Sequence, residues 1–398
     1  MSLRELLGAE ASIAERCVRC GFCNSVCPTS LVSSAYKPSR TSRGRIVLIQ
    51  SAIEGNVNEV FDEGFAELME LCFGCNRCVK VCPAGIPIPD AVRRYWDAYH
   101  RAVGVRKNER LALRYDRYAA LLSRLPRPVT GVLTSSLGRH VLERVSGISR
   151  EAPLPSFDGG SLDERLRRLS LPRTTKRFAF FADTFYRYVR PSAALRLVEL
   201  LSRHEISVSL PPQHDSGILL YEYGFYDRLR RVADLNVRSL VGRVNEGERV
   251  LTCSPAATLM LRSVYQKILN TRQAELVAEN VVDVNELLLE LAESGSLRPK
   301  VEEVSLHSSC LSQYLGLTEK IALALRASGV SVRELRTDCC GMGGMWGLFA
   351  KNRADAVELC SKLTRGLRGH LVTYSETCSL HIQSVYAGPV LLSFDVYN

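Results

Sequence analysis

Residues 17–28 read CVRCGFCNSVCP, and residues 72–83 read CFGCNRCVKVCP. Each run spaces four cysteines by two, two and three residues and ends on a proline. Three thiolates from one tight loop can cap three irons of a [4Fe–4S] cube, but the fourth must come from elsewhere. Where two such runs share a chain, the last cysteine of each serves the other cube. That rule assigns Cys17, Cys20, Cys23 and Cys82 to one cluster, and Cys72, Cys75, Cys78 and Cys27 to the other. Crossed ligation would also hold the two cubes close together. Zinc prefers two C-x₂-C pairs set apart by a long spacer, and neither run has that form.

Between the runs, apolar residues recur at helical spacing, from Ile46 to Ile53 and from Phe61 to Leu71. A compact bacterial ferredoxin inserts far fewer residues there. The stretch therefore resembles the alpha-helical ferredoxin type, as in succinate-dehydrogenase-like iron–sulfur subunits. Arg43 and Arg45 in SRGRI either neutralise cluster charge, contact a partner, or begin a helix as solvated side chains.

The chain has 398 residues, 46% of them hydrophobic, and a formal charge of +10. Fourteen cysteines make a poor disulfide framework in a reducing compartment, so metal binding is the better reading. Much of the positive excess is then counter-charge for anionic clusters. No nucleic-acid partner is expected, because basic and aromatic residues are not interleaved as such sites require. The N-terminal MSLRELLGAEASIAERC reads as a short amphipathic helix without a signal-peptide core. A cytoplasmic protein is expected, peripheral on the inner membrane face in one reading.

From residue 91 to about 150 the chain is arginine-rich, with apolar residues at helical intervals and breaks at Pro126 and Pro128. Such helices can pack on their own domain, dock on an acidic partner or lie on an anionic membrane. Turn residues in SREAPLPSFDGGSLDERL mark a linker. The expected divisions are 1–100, 101–170, 171–300 and 301–398.

The last two of these can be laid over each other. KRFAFFADTFYRY (176–188) matches EEVSLHSSCLSQY (302–314), setting Thr184 opposite Cys310. Asp215, Ser216 and Gly217 fall opposite Cys339, Cys340 and Gly341, while Ser254 and Ala257 fall opposite Ser375 and Cys378. Each half reads as an α/β unit. In the second, Cys310, Cys339, Cys340 and Cys378 stand on three loops near predicted strand ends, where such folds gather ligands. Cys339 and Cys340 are adjacent, a poor disulfide geometry. Gly341, Gly343 and Gly344 allow a sharp turn that presents both thiolates to one metal centre. The first half keeps the glycine without the thiols and is expected to bind no metal. Cys253 and Cys360 read as core thiols. His307 reads as a packed histidine, or as a donor to a cluster sulfur.

The C…CCG…C pattern resembles the CCG domain of heterodisulfide reductases and of iron–sulfur subunits of glycolate, lactate and glycerol-3-phosphate dehydrogenases. Those carry C-x-x-C at the end, where Ser375 replaces the first cysteine here. A four-cysteine [4Fe–4S] cluster fits that set better than a five-cysteine one, and zinc is the alternative. CGFCNSVCPT, SRGRI, CPAGIPIP and CCGMGGMWG are similar to the glycolate oxidase branch. The resemblance implies an α-helical ferredoxin-like domain followed by an α/β pseudo-repeat of two CCG-type units. It further implies an electron-transfer subunit that serves an FAD-containing 2-hydroxyacid dehydrogenase and passes electrons toward quinone or another acceptor. A glycerol-3-phosphate dehydrogenase subunit and a heterodisulfide-reductase-like enzyme are the alternatives. No G-x-G-x-x-G fingerprint and no nucleophile–base pair is visible, so no catalytic residue is assigned.

Overall fold

A computed structural model describes residues 5, 9–32, 37–57, 59–125, 131, 135–169, 174, 176–335 and 339–398. The N-terminal part packs four helices, Ala9–Glu15, Ser42–Ile53, Glu63–Glu70 and Ile88–Ala102, around the two cysteine runs. Side-chain caps start two of them. The Thr41 hydroxyl accepts from the Gly44 N–H, and the Asp62 carboxylate accepts from the Phe65 N–H at 2.6 Å, which satisfies donors that a helix start leaves open. Ile46, Ile49, Phe65, Met69 and Tyr95 form the core. The basic stretch that begins at residue 91 is thus internal to this domain over its first turns: Tyr95, Trp96 and Arg93 are buried. Tertiary packing here overrides the polar appearance of the sequence.

The rest carries two four-stranded parallel sheets of identical order. The first runs β2-β1-β3-β4, from β1 (Arg177–Phe181), β2 (Ser207–Ser209), β3 (Arg249–Thr252) and β4 (Val281–Asp283). The second runs β6-β5-β7-β8, from β5 (Glu303–His307), β6 (Ser331–Leu335), β7 (His370–Thr373) and β8 (Val390–Leu392). The likeness extends to single caps. Ser254 accepts from the Ala257 N–H at 3.1 Å, and Ser375 accepts from the Cys378 N–H at 3.5 Å. Gly217 and Gly341 both stand in the left-handed region, at φ 77° and 83°. One core joins the sheets, with Phe180 and Leu251 packed in the same cluster as Leu306 and Val372. Within it the Tyr374 hydroxyl donates to the buried Asp283 carboxylate at 2.7 Å.

The connector does two different things. Tyr115–Ser123 packs inward, burying Ala119 and Ser123, whereas Ser136–Ser146 buries none of its residues and leaves Leu137 76% exposed. Pro126 and Pro128 lie outside the described residues. Among the described residues no helix is long and apolar enough to cross a membrane.

The N-terminal domain is clamped to the second sheet unit. Arg40 pairs with Asp355 at 3.3 Å, Lys351 with Glu70 at 2.5 Å, and Lys80 donates to the Gln313 carbonyl. Phe73 and Trp346 stack their rings 5.2 Å apart. On the other side buried Arg93 reaches Glu222 of the first unit at 2.8 Å.

Candidate metal centres

Cys17, Cys20, Cys23 and Cys82 line one small pocket together with Gly21, Arg43 and Pro83. Two loops far apart in sequence make it, and the Ile86 N–H donates to the Cys82 sulfur at 3.3 Å. Cys20 is exposed, and beside it Val18 and Phe22 present uncovered apolar side chains.

Cys27, Cys72, Cys75 and Cys78 form a deeper group. Arg45 separates here from Arg43: Arg43 is exposed, but Arg45 is only 2% exposed and donates to the Cys27 sulfur at 3.1 Å. Burial alone would raise the Cys27 thiol. The Arg45 charge, with hydrogen bonds from Thr29, Ser30 and Arg45, outweighs it and brings the group down to about 7. Cys78 shows the reverse, raised by burial and by the neighbouring Cys75, Cys72 and Cys27.

The third group stands at the carboxyl ends of parallel strands in the second sheet. Cys310 follows β5, Cys339 and Cys340 follow β6, and Cys378 follows β7. The sulfurs of Cys340 and Cys378 lie 3.1 Å apart. The Gly341 N–H donates to Cys339 and the Met342 N–H to Cys340, at 3.3 and 3.5 Å. A Cβ on Gly341 would stand 2.3 Å from the Ala356 carbonyl oxygen, and one on Gly343 would stand 2.5 Å from the Phe73 ring. The turn after the adjacent cysteines thus needs glycine for space as well as for φ.

The second and third groups share a single cavity of about 630 Å³, lined by Cys72 and Cys75 from one side and all four thiols of the third group from the other. Burial and the nearby Cys339 thiol push Cys310 up to about 12, with Arg77 opposing them. Cys75 is raised by burial and then by Cys310 and Cys27. Buried Arg77 faces Cys339, Cys310 and Cys75 at once. Such thiols repel one another when ionised, and a cationic core relieves that repulsion because metal binding deprotonates its ligands. Among the described residues, no three His, Cys, Asp or Glu side chains converge tightly enough for a single metal ion. A cube binds each thiolate at a different iron and needs a wider cradle than a single ion does.

Residues 13–86 match the family model of a 4Fe-4S dicluster domain. Along nearly its whole length the chain aligns with the C subunit of the anaerobic glycerol-3-phosphate dehydrogenase of Escherichia coli K12. It is 25% identical to that protein over 93% of this chain and 94% of the relative. The glycolate oxidase iron-sulfur subunit of the same organism is 24% identical over 94% of this chain and 90% of its own length. The chain is homologous to these subunits. It also aligns, at 23% identity and over 75% of its length, with 30% of the E. coli D-2-hydroxyglutarate dehydrogenase, so similar sequence occurs inside a longer protein.

Cys253 and Cys360 are fully enclosed in core clusters. His307 is buried and its Nδ1 lies 3.1 Å from the Thr373 hydroxyl, as for a packed histidine. Sequence reasoning missed three residues on the cavity wall: Asp183, Tyr115 and Glu376. Glu376 is raised to about 7, first by burial and then by the charge of Asp183, against its own backbone hydrogen bond. The SETC motif placed it beside a candidate ligand, which was the one signal available.

Proposed function

We propose that this chain is the electron-transfer subunit of a flavin-dependent dehydrogenase, with three iron–sulfur centres in a row. Cys17, Cys20, Cys23 and Cys82 would hold the first, Cys27, Cys72, Cys75 and Cys78 the second, and Cys310, Cys339, Cys340 and Cys378 the third. Such clusters take up and release one electron at a time. The single observation that carries the reading is the shared cavity, lined by Cys72 and Cys75 of the second group together with all four thiols of the third.

The residues around the thiols have separate tasks in this reading. Arg45 stabilises negative charge at the second site by its hydrogen bond to Cys27, and Arg77 does so between the second and third. The N–H groups of Gly341 and Met342 do the same at the third. The exposed Val18 and Phe22 beside Cys20, with Arg19 and Arg43, form the face that meets the flavoprotein partner. No residue of this chain is assigned to substrate chemistry. The partner's substrate is a small hydroxylated anion: a 2-hydroxy acid such as glycolate or lactate, or glycerol 3-phosphate as in the relative aligned over 94% of its length. The third site is read as a cluster rather than zinc because its four cysteines follow the C…CCG…C pattern, with Ser375 as a helix cap at the fifth position.

The test is iron, sulfide and zinc analysis with low-temperature EPR on anaerobically purified protein and on Cys340→Ala. About twelve irons falling to about eight supports three centres. About eight irons in both, with one zinc lost in the variant, makes the third site structural and ends the relay in the N-terminal domain.

A further inference from the structure

In each sheet unit a matched segment follows a left-handed glycine, Gly217 in the first and Gly341 in the second. Both segments press on the loop between Cys72 and Cys75 of the N-terminal domain. From the second unit, a Cβ on Gly343 would stand 2.5 Å from the Phe73 ring. From the first, the short helix Ile218–Glu222 brings its last residue against Gly74. A Cβ on Gly74 would overlap a Glu222 carboxylate oxygen and stand 2.6 Å from the Arg93 Nη2 atom. Gly74 has a φ of 66°, so the loop needs glycine there for space and for backbone.

Arg93 is the piece in between, and it is only 2% exposed. Its Nε and Nη2 atoms donate to the two Glu222 carboxylate oxygens at 3.3 and 2.8 Å. Nη2 also donates to the Gly74 carbonyl at 3.2 Å. Nη1 donates to Asp90 at 2.6 Å and to the Tyr221 hydroxyl at 3.4 Å. These bonds use every N–H that a guanidinium carries, and the forked pair with Glu222 fixes direction as well as distance. The cation lies over the Tyr221 ring, 4.2 Å from its centre. Burial raises the Cys72 thiol, and Arg45, the Gly74 N–H and Arg93 oppose it. Cys310 of the third group is raised by burial and by Cys339, and Glu222 adds to them. Arg93 is thus within electrostatic reach of the second group, and Glu222 within reach of the third.

We propose that the sheet unit without thiols is a clasp on the second thiol group, in which Glu222 holds Arg93 against the Gly74 carbonyl and so sets how readily that group's centre accepts an electron. The inference rests on the electron-transfer reading above and gives the first unit a task in it. Arg93 and Glu222 are positioning residues. With its carbonyl held, Gly74 keeps its N–H on the Cys72 sulfur. An electron from the flavoprotein partner adds one negative charge and moves no proton. The buried cation favours that state, and the Glu222 and Asp90 carboxylates offset the cation.

The experiment is a potentiometric titration of the full chain, purified anaerobically with its metal and followed by low-temperature EPR. The signal that Cys75→Ala removes is that of the second centre. Glu222→Gln keeps the shape of the side chain and takes away one negative charge. At the wild-type midpoint, its ratio of reduced to oxidised second centre should rise about tenfold, with iron content unchanged. Glu222→Asp restores the charge and should bring the midpoint back toward wild type. Asp90→Asn should shift the midpoint in the same direction as Glu222→Gln, by less. The Asp90 side chain is 37% exposed, so this variant gives the answer even where Glu222→Gln does not fold. Wild-type midpoints in iron-replete Glu222→Gln and Asp90→Asn overturn the proposal and leave the pair as a clamp between domains. Wild-type protein that carries no iron at the second group breaks the electron-transfer reading, and the inference with it, so the two failures are distinguishable.

Discussion

The two sheet units share a strand order, a left-handed glycine and a serine helix cap, yet one presents four thiols where the other presents Thr184, Asp215, Ser216 and Ala257. The scaffold is therefore separable from its chemistry. Loops at the carboxyl ends of a 2-1-3-4 parallel sheet gather side chains to one place, and residue identity decides whether that place presents thiols or a carboxyl. Thiolates in the second unit repel one another and need a cation. In the first, burial and the adjacent Asp183 raise Asp215, and a raised carboxyl keeps its proton.

The largest expected effect breaks this comparison at its centre. Cys340→Ala should lose one centre's iron, about four atoms, whereas Ser216→Ala at the matching position should lose none; equal iron loss in both would mean that the first unit also takes metal. Next come the matched glycines. Gly341→Ala forces a Cβ to 2.3 Å from a backbone carbonyl oxygen, while Gly217→Ala meets the Leu229 Cδ1 atom at 2.6 Å, and that side chain can turn away. Denaturant unfolding should give about 3 kcal/mol of destabilisation for the former and about 1–2 kcal/mol for the latter. Tyr374→Phe removes the bond that ties the second unit to Asp283 of the first. It should cost about 2 kcal/mol by the same measurement, and a value near zero would show that the units do not depend on each other there.

The smallest effect lies at Glu286 of the first unit, which Lys320 of the second also reaches. Glu286 is pulled down to about 2: burial opposes the shift, but hydrogen bonds from Arg262 and Lys320 outweigh it. A depressed carboxyl contributes stability that is present above its unfolded value near 4.5 and is lost as pH falls toward 2. Thermal unfolding of Glu286→Gln should therefore differ from wild type by about 1 kcal/mol at neutral pH, the figure being reduced by solvent screening. The difference should shrink as pH falls below about 4.5 and vanish only below about pH 2.

Where the chemistry is carried by local spacing, the sequence was enough to read it. The two cysteine runs are regular within a dozen residues, and the helices between them, Ser42–Ile53 and Glu63–Glu70, follow the apolar period. The likeness of the two sheet units was legible because β1 and β5, and β3 and β7, begin runs that align without a gap, whereas their strand order was not, since no local pattern encodes which strands pair. Arg43 and Arg45 looked alike in sequence, and only the third dimension buries one and exposes the other. The acid group was beyond reach for the same reason. Tyr115, Asp183, Asp215 and Glu376 come from the connector and three separate loops, and no pattern along the chain places them together. Of the alternatives open for the stretch after residue 91, its first turns take packing on their own domain: Arg93 enters the interior with Glu222 as its partner, so charge there does not mean solvent.

The clamp between the N-terminal domain and the second sheet unit has a consequence for biogenesis. Cys339 and Cys340 are buried, and Phe73 of the N-terminal domain packs against Trp346 and close to Gly343 in the turn that follows them, so docking of the two parts covers that turn. A chain that matures without iron closes over empty thiols, and late addition of iron and sulfide should load the exposed Cys20 site well before the inner ones.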